Sequence, residues 1–140
     1  MLHMPIRFII IDNDPVNNLL CSLTIKDVAG EVEIQTFLFP IQAFEYIAHE
    51  YLDTEKTTVL LLDINIPTWS GWDFLDNFEK LDDLIKRQIK IYILSSSIDA
   101  NDKHRARENK NVVDYIEKPL SEKTVLSMLE QKWMKEAKNL

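Results

Sequence analysis

Five apolar runs of strand length alternate with five predicted helices along this chain of 140 residues, and four of the helices have apolar residues at helical spacing. The runs Ile6–Ile11, Thr57–Leu62 and 89–94 show little alternation of apolar and polar residues, which indicates strands buried on both faces of a parallel sheet. Residues 32–36 do alternate, which predicts a strand at a sheet edge with one face in water. Residues 112–116 form a short fifth run. The pattern predicts an α/β protein.

Each predicted strand is followed by a predicted helix. Asp14 before Pro15 indicates a helix start, because aspartate caps helices and proline suits the first helical position. Apolar residues three, four and seven positions apart mark the helix faces that we expect to pack on the sheet. These are Val16, Leu19, Leu20 and Leu23 in the first helix, Ile41, Phe44, Ile47, Ala48 and Tyr51 in the second, Phe74, Leu75, Phe78 and Leu81 in the third, and Val125, Met128, Leu129 and Trp133 in the last.

The helix predicted between residues 99 and 110 has almost no apolar face. Only Ile98, Ala100 and Ala106 are available for burial there. Because packing supplies most of the stability of helices in proteins, we expect this helix to be the least firmly anchored. Residues 82–88, which are rich in charged side chains, are predicted to be a connection.

Strands that alternate with helices predict a doubly wound parallel sheet, because short connections of this kind are right-handed and cover both faces of the sheet. The edge character of the second strand fits the flavodoxin-like order 2-1-3-4-5. We therefore predict a single (βα)5 domain over residues 1–140. In that order the strand ends bring polar residues together at one edge of the sheet. These residues are Asp12, Asn13, Asp63, Ser95 and Lys118.

Composition and charge argue against several classes of protein. The net charge of −7, without a stripe of basic and aromatic residues, argues against nonspecific nucleic-acid binding. The single cysteine, Cys21, excludes an internal disulfide framework and is typical of a reducing compartment. No apolar run approaches the roughly 20 residues of a membrane span, and residues 1–5 lack a signal-peptide pattern. We expect a cytoplasmic protein.

Two carboxylates and an amide at one sheet edge favour phosphoryl chemistry. A bound cation would relieve the repulsion between Asp12 and Asp63, and oxygen ligands with room for water suit Mg²⁺. A carboxylate beside Mg²⁺ and an ammonium group can attack phosphorus, which makes Asp63 the candidate nucleophile and Lys118 the neighbouring charge. Ser95 would donate a hydrogen bond to a phosphoryl oxygen.

Four motifs at strand ends give the whole chain a resemblance to the receiver domain of two-component response regulators, of the stand-alone chemotaxis-regulator type. Each motif alone is weak, whereas all four in this order are highly specific. The motifs are Ile-Ile-Ile-Asp12-Asn13-Asp14-Pro15, Leu-Leu-Leu-Asp63-Ile-Asn65-Ile-Pro67 with Gly71, Ile-Leu-Ser95-Ser96, and Tyr115-Ile-Glu-Lys118-Pro119.

The resemblance implies a signalling module and not an enzyme. Asp63 would accept a phosphoryl group from a histidine kinase or a histidine phosphotransfer protein. The backbone carbonyl of Asn65 would join Asp12 and Asp63 as a Mg²⁺ ligand, and Ser95 with Tyr115 would form the coupled switch pair. The output would be the binding of a downstream protein, with no direct nucleic-acid contact and no membrane insertion.

One position departs from the family pattern. The family usually has a second acid after the first strand that binds Mg²⁺ directly, and here that position is Asn13. The amide oxygen can still ligate, but one negative charge is missing, so we expect weaker Mg²⁺ binding. Asn13 also keeps open a second hypothesis, a receiver-like interaction module that is not phosphorylated. The family often has a cis peptide bond at the position of Lys118–Pro119.

Two further functions fit the predicted fold less well. A flavin-binding electron carrier needs a phosphate-binding loop after the first strand, where Asp12 and Asp14 would repel a phosphate. A hydrolase that uses Asp63 would need a second acid two residues later, and Asn65 occupies that place.

Overall fold

The computed structural model of the protein describes residues 6–49 and 56–131. Within these ranges, no helix has the length and apolarity that a membrane span requires. The elements are β1 (Ile6–Ile11), α1 (Pro15–Ala29), β2 (Glu33–Phe37), α2 (Pro40–His49), β3 (Thr57–Leu62), α3 (Gly71–Phe78), α4 (Asp83–Gln88), β4 (Ile89–Ser95), α5 (Ala100–Glu108), β5 (Val112–Glu117) and α6 (Glu122–Leu129).

The strands form one parallel sheet in the order β2-β1-β3-β4-β5, which confirms the predicted flavodoxin-like fold. Ile11 lies opposite Leu62, and Leu62 lies opposite Ile93. The backbone N–H of Asp63 extends the ladder by donating to the carbonyl of Ile11 at 3.0 Å. This register places Asp12 and Asp63 side by side, because each directly follows a paired residue.

The apolar core consists of two layers, one on each face of the sheet. Alternate strand residues point to opposite layers, so that Ile9 and Leu60 lie in one and Phe8 and Val59 lie in the other. Helices α2, α3, α4 and α5 cover the first layer, and α1 and α6 cover the second. Every residue of β1 is buried, which explains why its sequence does not alternate.

The face of α1 that packs on the sheet differs from the predicted one. Asn18, Cys21 and Ile25 are buried, whereas the predicted core residues are 50–61% exposed. Apolar residues lie on both sides of this helix, so spacing alone does not choose the face. On the buried face, the side-chain amide of Asn18 donates to the carbonyls of Asp12 at 3.0 Å and Phe37 at 3.5 Å, and Cys21 and Ile25 pack on the sheet. The residues wrongly predicted to be buried are Val16, Leu19, Leu20 and Leu23.

The other predicted helix faces are largely confirmed. Ile41 is 38% exposed and was wrongly predicted to be buried, because the stripe that packs on the sheet contains Ala43 instead. Tyr51 and Trp133 lie outside the described residues. The predicted residues that are buried are Ile47, Phe74, Leu75, Phe78, Val125 and Met128, and those that are half-buried are Phe44, Ala48, Leu81 and Leu129.

The charged segment before β4, predicted to be only a connection, contains a short helix, α4. The Asp82 carboxylate caps it by accepting a hydrogen bond from the N–H of Leu84 at 2.8 Å. The ammonium group of Lys86 lies 3.3 Å from the carboxylate of Asp83, one turn earlier. None of its residues is buried. The helix was missed because caps and ion pairs, not an apolar stripe, mark it.

Helix α5 is thinly anchored, although the prediction that it is the least anchored helix was wrong, because α4 buries none of its residues. Ala106 is the one buried residue of α5, whereas Ile98 and Ala100, which were also expected to be available for burial, are exposed. Part of its attachment is a cation–π contact, in which the guanidinium group of Arg105 lies 4.3 Å from the ring centroid of Trp72. Such contacts supply less stability than a buried apolar face would.

Candidate functional site

Three charged side chains meet at the carboxyl edge of the sheet, as the sequence predicts. The ammonium group of Lys118 donates to Oδ2 of Asp12 at 2.6 Å and to Oδ2 of Asp63 at 3.1 Å. The carboxylate side chains are only 2% and 9% exposed. Because buried charges need partners, Lys118 is what allows the two acids to lie so close together. The Lys118–Pro119 peptide bond is cis, as expected.

The surroundings of Lys118 keep its amine protonated. Burial lowers the pKa of this amine, but the hydrogen bond to Asp12 and the negative charge of Asp63 raise it by more. The pKa of Lys118 therefore stands above the ordinary lysine value of 10.5. The cluster of two carboxylates and one ammonium group keeps one net negative charge, which favours a further cation.

Both carboxylate oxygens of Asp12 are held in place. Oδ1 accepts from the backbone N–H of Asp14 at 2.9 Å, and Oδ2 accepts from the side-chain amide of Asn17 at 2.7 Å. Asp14 caps α1 by accepting from the N–H of Val16 at 3.0 Å, which is its predicted role. Asn17 was not identified from the sequence. Its only signal there is an amide in the first turn of a helix that begins beside the site.

Asn65 connects Asp63 to Ser95. The backbone N–H of Asn65 donates to Oδ1 of Asp63 at 2.9 Å, and its side-chain amide donates to Oγ of Ser95 at 3.2 Å. Ser95 is fully buried at the end of β4. Ser95 is therefore linked to the Asp63 carboxylate by hydrogen bonds through a single residue, Asn65.

Ser97 joins the site to α5 and β5. Its backbone N–H donates to Oγ of Ser95 at 3.1 Å, and its hydroxyl donates to Oδ2 of Asp102 in α5 at 2.7 Å. Its carbonyl accepts from the hydroxyl of Tyr115 in β5 at 2.7 Å. The two residues of the expected switch pair, Ser95 and Tyr115, are thus connected through Ser97. Ser97 was not predicted from the sequence, where it stands out only as the last member of a serine run.

The turn before α3 holds that helix against Asp63. Ser70 and Asp73 form a capping box, in which each side chain accepts from the other residue's backbone N–H. Gly71 begins the helix with no room for a side chain, since a Cβ there would lie 2.7 Å from the carbonyl oxygen of Asp63 and 2.7 Å from Cα of Ile64. The close contact requires glycine at this position.

The oxygen atoms of this site suit Mg²⁺ by type. Mg²⁺ commonly binds one or two carboxylates and keeps several waters, and Asp12 and Asp63 supply two carboxylates. Asn13 is exposed in the turn after β1, where its amide replaces a possible third carboxylate. Accordingly, the described part of the chain contains no group of three or more acidic, histidine or cysteine residues that could hold a metal. The residues present fit a site with few protein ligands.

Two acids and a lysine at the carboxyl edge of a parallel five-stranded sheet are the arrangement that the resemblance to receiver domains implies. The family model of the response regulator receiver domain matches residues 8–130, so this chain belongs to that family. It is therefore a receiver domain of two-component signalling, a class that interacts with histidine kinases and downstream targets.

Solved structures of this class resemble the chain over nearly its whole length. A two-component response regulator from Cytophaga hutchinsonii has 26% identity and a TM-score of 0.81, with 96% of this chain and 98% of that chain covered. A response regulator receiver protein from Dyadobacter fermentans has 21% identity and a TM-score of 0.80, covering 89% and 95%. A CheY-like receiver domain protein from Methanospirillum hungatei has 23% identity and a TM-score of 0.70, covering 97% and 99%. A comparison with curated proteins found no match.

Proposed function

We propose that this protein acts as a single receiver domain in which Asp63 accepts a phosphoryl group from a phosphohistidine donor. The observation that supports this most directly is the ammonium group of Lys118 between two buried carboxylates. In the transfer, an oxygen of Asp63 forms a bond to phosphorus while the bond from phosphorus to the imidazole nitrogen of the donor breaks. Lys118 would stabilise the negative charge on the phosphoryl oxygens.

Ser95 would sense the phosphoryl group. Its Oγ accepts hydrogen bonds from Asn65 and from the N–H of Ser97, so its own proton is available to a phosphoryl oxygen. A turn of Ser95 toward that oxygen would disturb the bond to Ser97, to which α5 and Tyr115 are attached. The signal would be a shift between two conformers of α5, β5 and α6 that changes the binding of a downstream protein.

Mg²⁺ is the cofactor that we propose for the transfer. Asp12, Asp63 and the backbone carbonyl of Asn65 would hold it, and the amide oxygen of Asn13 would be a further ligand. Bound there, Mg²⁺ would supply positive charge to the incoming phosphoryl group. Asp12 is already oriented by Asn17, so little reorganisation of its carboxylate is needed.

The test is the intact mass of the protein after incubation with a small-molecule phosphodonor, with Mg²⁺ and with a chelator. We expect the mass of one phosphoryl group to appear with Mg²⁺ and to be absent with chelator and in Asp63→Ala. A gain that persists in Asp63→Ala would assign the acceptor elsewhere. No gain at high Mg²⁺ and short times would favour the second candidate function, a receiver-like interaction module that is not phosphorylated, which Asn13 alone favours.

Restoring the missing acid is expected to tighten Mg²⁺ binding. Asn13→Asp adds a negative charge beside Asp12 and Asp63, and we expect about tenfold higher Mg²⁺ affinity. The tryptophan fluorescence of the protein would report binding, since Trp69 and Trp72 follow Asp63 closely in the chain. Asn13→Ala is the control for loss of the amide alone. An unchanged affinity in Asn13→Asp would mean that this position does not face the metal.

The exposed apolar side of α1 is a suitable docking face for the phosphodonor protein. This helix begins three residues after Asp12, and its exposed apolar residues, 50–61% accessible, form a stripe next to the acidic edge. A partner that covers the stripe would hold its phosphohistidine near Asp63. The stripe consists of Val16, Leu19, Leu20 and Leu23.

Polar substitution in this stripe is expected to slow phosphorylation by a protein donor but not phosphorylation by a small-molecule donor. In Leu19→Ser/Leu23→Ser, phosphoryl transfer from a histidine phosphotransfer protein should slow by roughly tenfold or more, because apolar contacts with the partner are lost. Phosphorylation by a small-molecule donor should be unchanged. Leu84→Ser in α4, where the leucine is 61% exposed, is the matched control. Equal slowing with both donors would show damage to the site instead of to docking.

A further inference from the structure

A wide cleft lies at the end of the sheet opposite Asp63. It has a volume of about 620 Å³ and is lined by residues of α4, by the start of β4, by the start of β5 and by the turn before β5. Parallel strands all begin at one edge of a sheet and end at the other, so the cleft is separate from the acidic site. Its polar lining residues are Asp83, Lys86, Arg87, Lys90, Lys110 and Asn111.

The cleft is positively charged although the protein carries a net charge of −7. Of the lining residues that the structure describes, four are lysine or arginine and one, Asp83, is acidic. Like charges that line a concave surface focus the electric field and concentrate ligands of opposite sign. The cleft is thus a place on an acidic protein where an anion would be attracted.

Glu79, at the rim, neutralises part of this charge. Its carboxylate lies 2.8 Å from the ammonium group of Lys110 and 3.6 Å from that of Lys86, and it also accepts from the side-chain amide of Asn111. Hydrogen bonds from Lys110 and Asn111 lower the pKa of Glu79 to about 2, so Glu79 stays ionised at neutral pH. One carboxylate is therefore shared by two lysines.

Among the described residues of the chain, Arg87 and Lys90 are the cations of the cleft that have no acidic partner. Across residues 6–49 and 56–131, neither takes part in an ion pair. The Nε of Arg87 donates to the backbone carbonyl of Asp83 at 3.4 Å. Within the described ranges, no hydrogen bond occupies the two terminal nitrogens of the guanidinium group, which can donate to a ligand. Lys90 is half-buried in β4, so part of its side chain is fixed by the sheet.

We propose that this cleft binds a small organic polyphosphate such as a nucleoside triphosphate. Its volume is within the range of small-molecule sites, which is roughly 300–1,000 Å³. Arg87 and Lys90 both line the cleft, and guanidinium and ammonium groups both bind phosphate oxygens. Several cations in one cleft favour a ligand with several charges. Ile89 and Val113 add apolar surface for the organic part of the ligand.

The test is calorimetric titration of the full chain with ATP, tripolyphosphate and adenosine, at about 0.15 M salt, where the field of isolated surface charges is screened. A chelator is present, so that metal binding at the acidic edge does not contribute. We expect one ATP per chain, binding by tripolyphosphate, and no binding by adenosine. Arg87→Gln/Lys90→Gln should weaken ATP binding by about tenfold or more.

Matched variants distinguish ATP binding in the cleft from general attraction of ATP to positive charge on the protein. Lys26→Gln/Lys123→Gln removes the same charge from exposed positions on α1 and α6 and should change the affinity by less than about twofold. Lys110→Gln provides a second probe of the cleft if the first double variant does not fold, since this lysine side chain is 76% exposed. Amide NMR shifts on titration should map to the beginnings of β4 and β5.

Three results would overturn the proposal. The first is no saturable binding of ATP or tripolyphosphate. The second is equal weakening by the cleft variants and by the control variant, which would indicate attraction by net charge alone. The third is tighter binding of a hexaglutamate peptide than of ATP, which would make the cleft a contact for an acidic protein segment. None of these results depends on whether Asp63 is phosphorylated.

Discussion

Lys118→Met is expected to slow phosphorylation of Asp63 by roughly a hundredfold or more, because it removes the cation that faces the phosphoryl oxygens. The same change leaves the carboxylates of Asp12 and Asp63 buried side by side without their ammonium partner. Breaking such a pair from one side costs about 3 kcal/mol of unfolding free energy. Intact mass over time measures the first effect, and urea unfolding at pH 8 measures the second.

The loss of stability in Lys118→Met should become smaller as the pH rises above about 10. The pKa of Lys118 is raised in the folded protein above the ordinary value of 10.5. The stability that Lys118 contributes is therefore fully present below pH 10.5 and is lost as the pH rises through the folded pKa. The difference in unfolding free energy between the native protein and Lys118→Met should be constant from pH 8 to about 10 and should shrink above that.

Lys123→Met is the matched control for Lys118→Met. Lys123 is exposed near the start of α6 and forms no ion pair with any described residue. Its loss should change stability by less than about 0.5 kcal/mol and leave phosphorylation unchanged. If Lys118→Met were phosphorylated at the native rate, the ammonium group would have no part in the transfer, and the central argument for the site would fail.

Gly71→Ala is expected to destabilise the protein by about 2 kcal/mol and to impair phosphorylation. Two effects compete at this helical position. Alanine gains about 1 kcal/mol in helix propensity over glycine. Its Cβ, however, would lie 2.7 Å from backbone atoms of Asp63 and Ile64, which cannot move aside without shifting the end of β3. Overpacking against the backbone costs more free energy than the higher helix propensity of alanine contributes, so Gly71→Ala should destabilise the folded protein.

Thermal unfolding and the phosphorylation rate measure the two effects of Gly71→Ala. Gly30→Ala is a useful comparison, because Gly30 has a φ of 75° but an added Cβ would have nothing within 4 Å. It should cost about 1 kcal/mol through backbone strain and leave phosphorylation unchanged. A Gly71→Ala protein with higher stability than native would show that the turn can relax and that close packing at Asp63 is not required.

The residues that end the strands were predictable because their signal is local. A run such as Thr57–Leu62 that is apolar on both faces and stops at a carboxylate needs no knowledge of distant residues. The strand order followed from the alternation of helices and strands and from the edge pattern of one strand. Together these patterns were enough to place Asp12, Asp63 and Lys118 at one edge of the sheet.

The site's supporting contacts were not predictable, because they join residues whose relation appears only after folding. Asn17 reaches Asp12 only when α1 starts at a particular angle, and Ser97 becomes a junction only when β5 brings Tyr115 beside it. The short helix α4 was missed for a related reason, since its cap and ion pairs do not produce an apolar stripe.

The sequence by itself determined the class of fold, the elements of the sheet and the three charged residues at its edge. The tertiary structure decided which face of α1 is buried: Cys21 and Ile25 pack in the core, and the amide of Asn18 donates to carbonyls of two separate segments. It also decided that cations from α4, β4 and the turn before β5 share one cleft. Periodicity describes a single element, whereas the choice between two apolar faces and the grouping of distant charges depend on contacts between elements.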